Sequence, residues 1–450
     1  MLCKVCGNEG IGSCVLGISD NGETRYFMDY CLRYDFHPVG QGLFASGMIG
    51  CLSSNLHQCF HWVYDCGTSS RDNFISDAIK CLKQNVASNN RQSRPRLNLV
   101  TISHFDGDHI SGLKNLLSEF DVDTLLIPYM PLWQRLVIAF EERADVNDKI
   151  IQFFVNPVFY IGNIADAKVD KIIFVPFSGK IIPPKKRNTK GPKESQSEAD
   201  WELKAETREP KKDEEDDYKN MKQGSKISIK FMCEGSTLCI SNVWEFIPYN
   251  DAELAPNVDK TFRKNVEKEK YKLINGSDVD AALKRLRVLY DKQFGKSPRK
   301  RNMISLFLYG GPIDIKRLVR VTPSCYICPG HLPQCLYWCT NYLHADRCAI
   351  LYTGDGYLNN QKRLNALTSC LGDGRISRLH TLQVMHHGAK PNWYTGVATT
   401  LKPAISVFCS DPDLKRPGHP HASVLRDFAS HGPMLVSKNY QLTISGLWTR

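Results

Sequence analysis

No stretch of this 450-residue chain approaches the roughly 18 consecutive apolar residues of a membrane span, so neither a channel nor an anchored receptor is expected. The opening MLCKVCGNEGIG lacks the long apolar core of a secretory leader, which makes an interior, cytoplasmic compartment the expectation. No internal repeat of constant period is evident. With 42% hydrophobic residues there is enough apolar material for one large or two ordinary domains, which excludes wholesale disorder. An even, closely spaced cysteine framework is missing too: the 17 cysteines are odd in number and scattered, against a small secreted disulfide scaffold and for free thiols. Histidine is absent between His109 and His331, whereas His104 and His109 sit together and six of the 13 lie from His380 onward. A metal centre built on imidazole must therefore join distant stretches of chain.

What is present alternates. After a glycine-rich turn at Val39 to Gly42, HQCFHWVYDCGTSS reads as a strand ending at Asp65, and Phe74 to Val86 has the three-and-four spacing of an amphipathic helix. RPRLNLVTISH reads as a buried strand running into a histidine-rich loop, then ISGLKNLLSEF as a helix, DTLLIPYM as a strand and LWQRLVIAFEERAD as a helix. This succession predicts an α/β chain. Composition changes near Ile182. Residues 183–226 are charged and poor in branched apolar side chains, which predicts a disordered, solvated insertion between an N-terminal half, 1–182, and a C-terminal half, 227–450. Two more helices are expected at about Lys260 to Lys272 and Val279 to Phe294. The net charge is +11, and the tract from Lys284 to Arg301 is densely basic, suited either to solvation or to phosphate oxygens. The insertions are also places where a partner protein would dock.

Chemistry concentrates in SHFDGDHISGL, where His104, Asp106, Asp108 and His109 fall within six residues after an apolar strand. Carboxylates neutralise a cation and imidazoles give it directional nitrogen ligands, so the loop is a candidate for one or two divalent ions. CAILYTGDGYLN delivers Asp355 between two glycines, LHTLQVMHHGAKPNW ends a strand at His386 and His387, and RPGHPHASVL places His419 and His421 before a helix. A cysteine-rich segment with Cys325, Cys328, Cys335 and Cys339 has ligands for a structural zinc ion, set against the ordinary burial of cysteine.

Taken in order, VGQG, VYDCG, HFDGDH, NMISLFL, TGD, HHG and HPH resemble the metallo-β-lactamase superfamily, and within it the hydrolase domain of the ComEC/Rec2 DNA-uptake family. The resemblance implies a four-layer αβ/βα sandwich with charged and cysteine-rich insertions and metals at one edge. It implies His104 and Asp106 on one cation, Asp108 and His109 on the other, Asp355 bridging, His386 completing the second site, and Asp65 bracing the loop or organising water. Asn302 and Ser305 match the family's central strand and, with Lys390, are candidate substrate contacts, while His419 or His421 would donate a hydrogen bond or a proton. Many relatives place another metal histidine before the bridging aspartate, where this chain has only His331 and His344. The implied activity is metal-dependent phosphodiester hydrolysis, as a phosphodiesterase or nuclease on DNA or RNA, with zinc or manganese favoured over magnesium. The competing readings are a hydrolase of a small cyclic nucleotide or ester, and a metal-stabilised binding module without turnover.

Overall fold

The computed structural model describes residues 16–18, 24–26, 29–51, 59–86, 94–141, 149–177, 201–251, 260–274, 279–294, 305–313, 320–322, 347–414 and 418–449. Four adjacent parallel strands, Cys59–Cys66, Arg96–Thr101, Asp121–Pro128 and Lys168–Val175, set its architecture. Successive side chains on a strand point to opposite faces. Val63, Val100, Leu125 and Ile172 therefore join Ile79, Leu116, Leu136 and Ile161 of the covering helices in one apolar cluster. Their chain neighbours Trp62, Leu99, Leu126 and Ile173 turn the other way and meet Trp244, Leu308, Ile350 and Val407 of a second sheet. The far face of that sheet, with Tyr309, Leu351 and Phe408, packs on Leu364, Leu401 and Phe428 from further helices. Strands buried on both faces explain the continuous apolar runs that the sequence shows.

Both sheets are mixed. The ten-stranded sheet runs Thr207–Arg208, Ser228–Met232, Lys168–Val175, Asp121–Pro128, Arg96–Thr101, Cys59–Cys66, Phe44–Cys51, Asp29–Phe36, Leu442–Thr449 and Arg320–Thr322. The eight-stranded sheet runs Pro433–Val436, Ile405–Cys409, Leu379–Gln383, Ala349–Tyr352, Phe307–Pro312, Trp244–Tyr249, Leu238–Ile240 and Leu203–Ala205. The chain is thus mixed α/β with its sheets face to face. The two sequence halves interleave, because the first sheet takes its Leu442–Thr449 strand from the end of the chain. No helix among the described residues is long and apolar enough to cross a membrane.

The disordered insertion expected over 183–226 is corrected in its second part. Leu203–Ala205 pairs with Leu238–Ile240, and the helix Glu215–Lys222 buries Met221 and Asp217. Asp217 Oδ2 accepts from the buried guanidinium of Arg135 at 3.3 Å and from Leu132 N at 3.1 Å, and Arg135 also donates to Phe154 O at 2.8 Å. High charge suggested solvation, but one carboxylate in the tract is the partner of a buried cation, and Met221 supplies the apolar contact.

Candidate metal centre

Polar side chains collect where the parallel strands of the first sheet end, the edge at which open α/β sheets hold ligands. The strand Cys59–Cys66 brings Asp65 there in a left-handed conformation, φ 55°, with no exposed surface. Asp65 Oδ1 accepts from Ser103 N at 2.7 Å, and Oδ2 accepts from Ser103 Oγ at 2.6 Å and from His109 Nδ1 at 2.8 Å. Having given its proton to Asp65, the Ser103 hydroxyl accepts from His104 Nδ1, 2.8 Å away. On the second sheet, His387 Nδ1 donates to Cys409 O at 2.5 Å. With each Nδ1 committed as a donor, displacement of the second ring proton by a cation would leave the Nε2 of His104, His109 and His387 with the lone pair, the tautomer a metal ligand needs. Asp65 thereby ties Ser103 and His109 to the end of its own strand.

These Nε2 atoms converge on Asp355. Its Oδ1 lies 3.0 Å from His109 Nε2 and 3.8 Å from His387 Nε2, and Asp108 Oδ2 lies 3.1 Å from His387 Nε2. One ligand atom from each of Asp108, His109, Asp355 and His387 falls within 4.8 Å of the others, a grouping that could hold a metal ion. Asp355 Oδ2 faces the other way, 3.4 Å from His386 Nε2 and 3.9 Å from His104 Nε2, which is itself 3.5 Å from Asp106 Oδ2. His104 Nε2, His109 Nε2 and Asp355 Oδ1 are buried without a hydrogen-bond partner. Buried polar atoms without partners are costly unless something absent from a bare chain satisfies them, and a divalent cation suits this imidazole and carboxylate set.

The expectation for the HHG motif is corrected. His386 was expected to complete the Asp108 and His109 site, but that position belongs to His387. Both residues are left-handed, at φ 47° and φ 56°, a conformation that costs about 1–2 kcal/mol per residue for an L side chain. The turn sends His387 into the buried interior and leaves His386 on the opposite oxygen of Asp355, 35% exposed. Strand continuation could not separate the two because the strand ends at Gln383, before either histidine.

Two glycines allow the loops to meet. A Cβ on Gly67 would lie 2.4 Å from the His109 carbonyl carbon, and one on Gly354, φ 51°, would lie 2.4 Å from Ser305 Oγ. Ser305 is buried rather than open to substrate. Its hydroxyl donates to Thr353 O at 3.3 Å and accepts from Asp355 N at 3.2 Å, so it seats the aspartate loop. Gln383 and Asn392, which the sequence reading missed, do the same. Gln383 Oε1 accepts from Gly354 N at 2.7 Å, and Asn392 Nδ2 donates to Asp355 O at 2.8 Å. Only their place beside the HHG motif hinted at this.

Charge in the cluster is strongly coupled. Burial opposes protonation of His109, but Asp355, Asp108 and Asp65 outweigh it and hold the imidazole well above its ordinary value. Burial likewise opposes ionisation of Asp355, yet His386, His109 and His387 keep its carboxyl well below the usual range. His419 faces His386 and His387 at ring-centroid distances of 5.5 and 6.1 Å. Burial, with those histidines and His421 adding, pushes it down to about 3, so it stands neutral near pH 7, and its Nδ1 is buried without a hydrogen-bond partner. His421 Nδ1 accepts from Lys390 N at 3.3 Å, which leaves its Nε2–H to donate, and the Lys390 side chain is exposed. Asn302 and the candidate zinc ligands Cys325, Cys328, Cys335 and Cys339 lie outside the described residues.

No family model matches the chain. No curated protein matches it either.

Proposed function

We propose that this protein is a metal-dependent hydrolase of phosphodiesters with a metallo-β-lactamase type of four-layer sandwich. The observation that carries the reading is the division of Asp355, one oxygen toward His109, His387 and Asp108 and the other toward His104, His386 and Asp106. Asp108, His109 and His387 would hold one cation and His104, Asp106 and His386 a second, with Asp355 offering an oxygen to each group, and the motif order from HFDGDH to HPH supports the same conclusion. When bound, zinc or manganese would supply positive charge for phosphoryl oxygens and acidify a water molecule. The chain's own residues do the rest. Asp65, Ser103 and Cys409 O fix three imidazole tautomers, Ser305, Gln383 and Asn392 hold Asp355 in place, and His421 would use its Nε2–H to donate to a transferring or leaving oxygen.

Bound metal measured by atomic emission, with turnover of bis(p-nitrophenyl) phosphate in manganese, zinc or magnesium, tests the reading. Asp108→Ala and Asp355→Ala should each abolish turnover and lower metal content while the circular dichroism spectrum is retained. Full turnover in either purified variant would overturn the assignment.

A further inference from the structure

The helices Lys260–Ile274 and Val279–Phe294 form an antiparallel hairpin, for Phe262 near the start of one meets Tyr290 near the end of the other at 4.9 Å, edge to face. Its inner face is apolar, with Phe262, Val266, Ala282, Leu283, Leu286 and Tyr290 all buried. Outward it carries Arg263, Lys264, Lys268, Lys284, Arg287 and Lys292, every one exposed. None of these six is paired with a carboxylate among the described residues. Of the acidic groups described in the hairpin, Glu269 is buried and already held by Arg285 at 3.0 Å, and Asp291 is half-buried. Val288 stands 68% exposed among the cations, an apolar contact left open to solvent.

The hairpin is fastened beside the metal edge. Phe262 packs on Trp133 at 6.4 Å, the Arg263 guanidinium lies 5.6 Å above the same indole, and Tyr290 Oη donates to Trp133 O. Trp133 lies in the first turn of the helix Leu132–Glu141, just past the end of the strand Asp121–Pro128. The next strand, Arg96–Thr101, ends three residues before His104.

We propose that this hairpin is a docking surface for the phosphate backbone of a nucleic-acid strand, which it feeds to the metal edge. The inference takes the phosphodiester reading for its ligand chemistry and adds that the substrate is a polymer. A helix of 15 residues is about 22 Å long. Cations spread along two such helices cannot all reach one small phosphodiester at the metals. A polymer presents charge continuously, about one phosphate per 3.4 Å of each strand in a duplex, and rewards a row of unpaired lysines and arginines by releasing its counterions.

The test uses the full-length protein, fluorescein-labelled single-stranded DNA, single-stranded RNA and duplex DNA of roughly 20 nucleotides, and anisotropy across a salt series. The triple variant Lys284→Gln/Arg287→Gln/Lys292→Gln should bind at least one of these about tenfold more weakly, with the slope of log affinity against log salt reduced by roughly 2–3. A charge-retaining variant, Lys284→Arg/Lys292→Arg, should bind like the wild type, which separates lost charge from a damaged fold. The three probes also show whether the strand is DNA or RNA, single or paired. Equal affinity and slope in wild type and triple variant would overturn the surface, as would wild-type protein that binds none of the strands. If the triple variant loses strand binding although the wild type turns over no phosphodiester in any metal, the surface stands and the hydrolase reading falls.

Discussion

His109 Nδ1 donates to Asp65 Oδ2 across 2.8 Å with both side chains wholly buried. The other ring nitrogen, His109 Nε2, lies 3.0 Å from Asp355 Oδ1, and it is the one that would turn its lone pair to a cation because Asp65 keeps the proton on the other side of the ring. Asp65→Asn keeps the shape and allows the amide to donate, which favours the opposite tautomer. The expected result is a loss of metal affinity of about 10–100-fold, read by competitive titration with a chromogenic chelator, with far-ultraviolet circular dichroism retained. Unchanged affinity would remove Asp65 from this role.

The tandem histidines should separate by metal count. His387→Ala takes a donor from the quartet it forms with Asp108, His109 and Asp355, whereas His386→Ala affects the side formed by His104 and Asp106. Under the two-ion reading, each variant should retain about one ion per chain at concentrations that load the wild type with about two. His387→Ala should also lower thermal stability more, since it leaves a cavity and the Cys409 carbonyl without its donor. Identical metal content in both variants and the wild type would contradict the division.

Acid lability should trace in part to a histidine that is not a member of the Asp355 cluster. His37 is buried, stacked on Phe44 at 4.2 Å and bonded to Ser46 Oγ at 2.9 Å, and burial lowers its pKa to about 4. Between pH 4 and the ordinary imidazole value of 6.5, the unfolded chain binds this proton and the folded chain does not, so stability rises with pH across that window. The stability lost on acidification amounts to roughly 3 kcal/mol, begins near the ordinary value and is complete below the folded one. Urea titrations from pH 4.5 to 7.5 should show a shallower slope for His37→Gln than for the wild type. Parallel slopes would refute the attribution.

Asp217 lies in a tract whose composition reads as solvent-exposed, and its removal should be costly. Asp217→Ala strands the buried Arg135 guanidinium and the Leu132 amide. A loss of about 3–5 kcal/mol in denaturant unfolding is expected, against less than about 1 kcal/mol for a surface ion pair. A loss within the surface range would mean that the tract contributes little to folding.

The alternating order of strands and helices was legible because the strands are buried on both faces and read as continuous apolar runs, and the observed helix Asp72–Val86 includes the expected Phe74 to Val86. Asp108, His109 and Asp355 were legible from short motifs in which ligand types crowd together. His386 and His387 were not separable, for their directions depend on two consecutive left-handed residues beyond the strand's end. Ser305, Gln383 and Asn392 act through backbone hydrogen bonds across two loops, a relationship that no spacing encodes. The tract 183–226 misled because charge was weighed without the buried Arg135 that one of its carboxylates serves.

The donors come from both sheets, with Asp65, His104, Asp108 and His109 on one and Asp355, His386 and His387 on the other, and the seam between them is closed by Leu306 N donating to Ser103 O at 2.8 Å and Tyr64 Oη donating to Leu306 O at 2.7 Å. An ion would rivet this seam. Chelation should therefore speed deuterium uptake first at the Leu306 and Ser103 amides, well before the strand centres exchange.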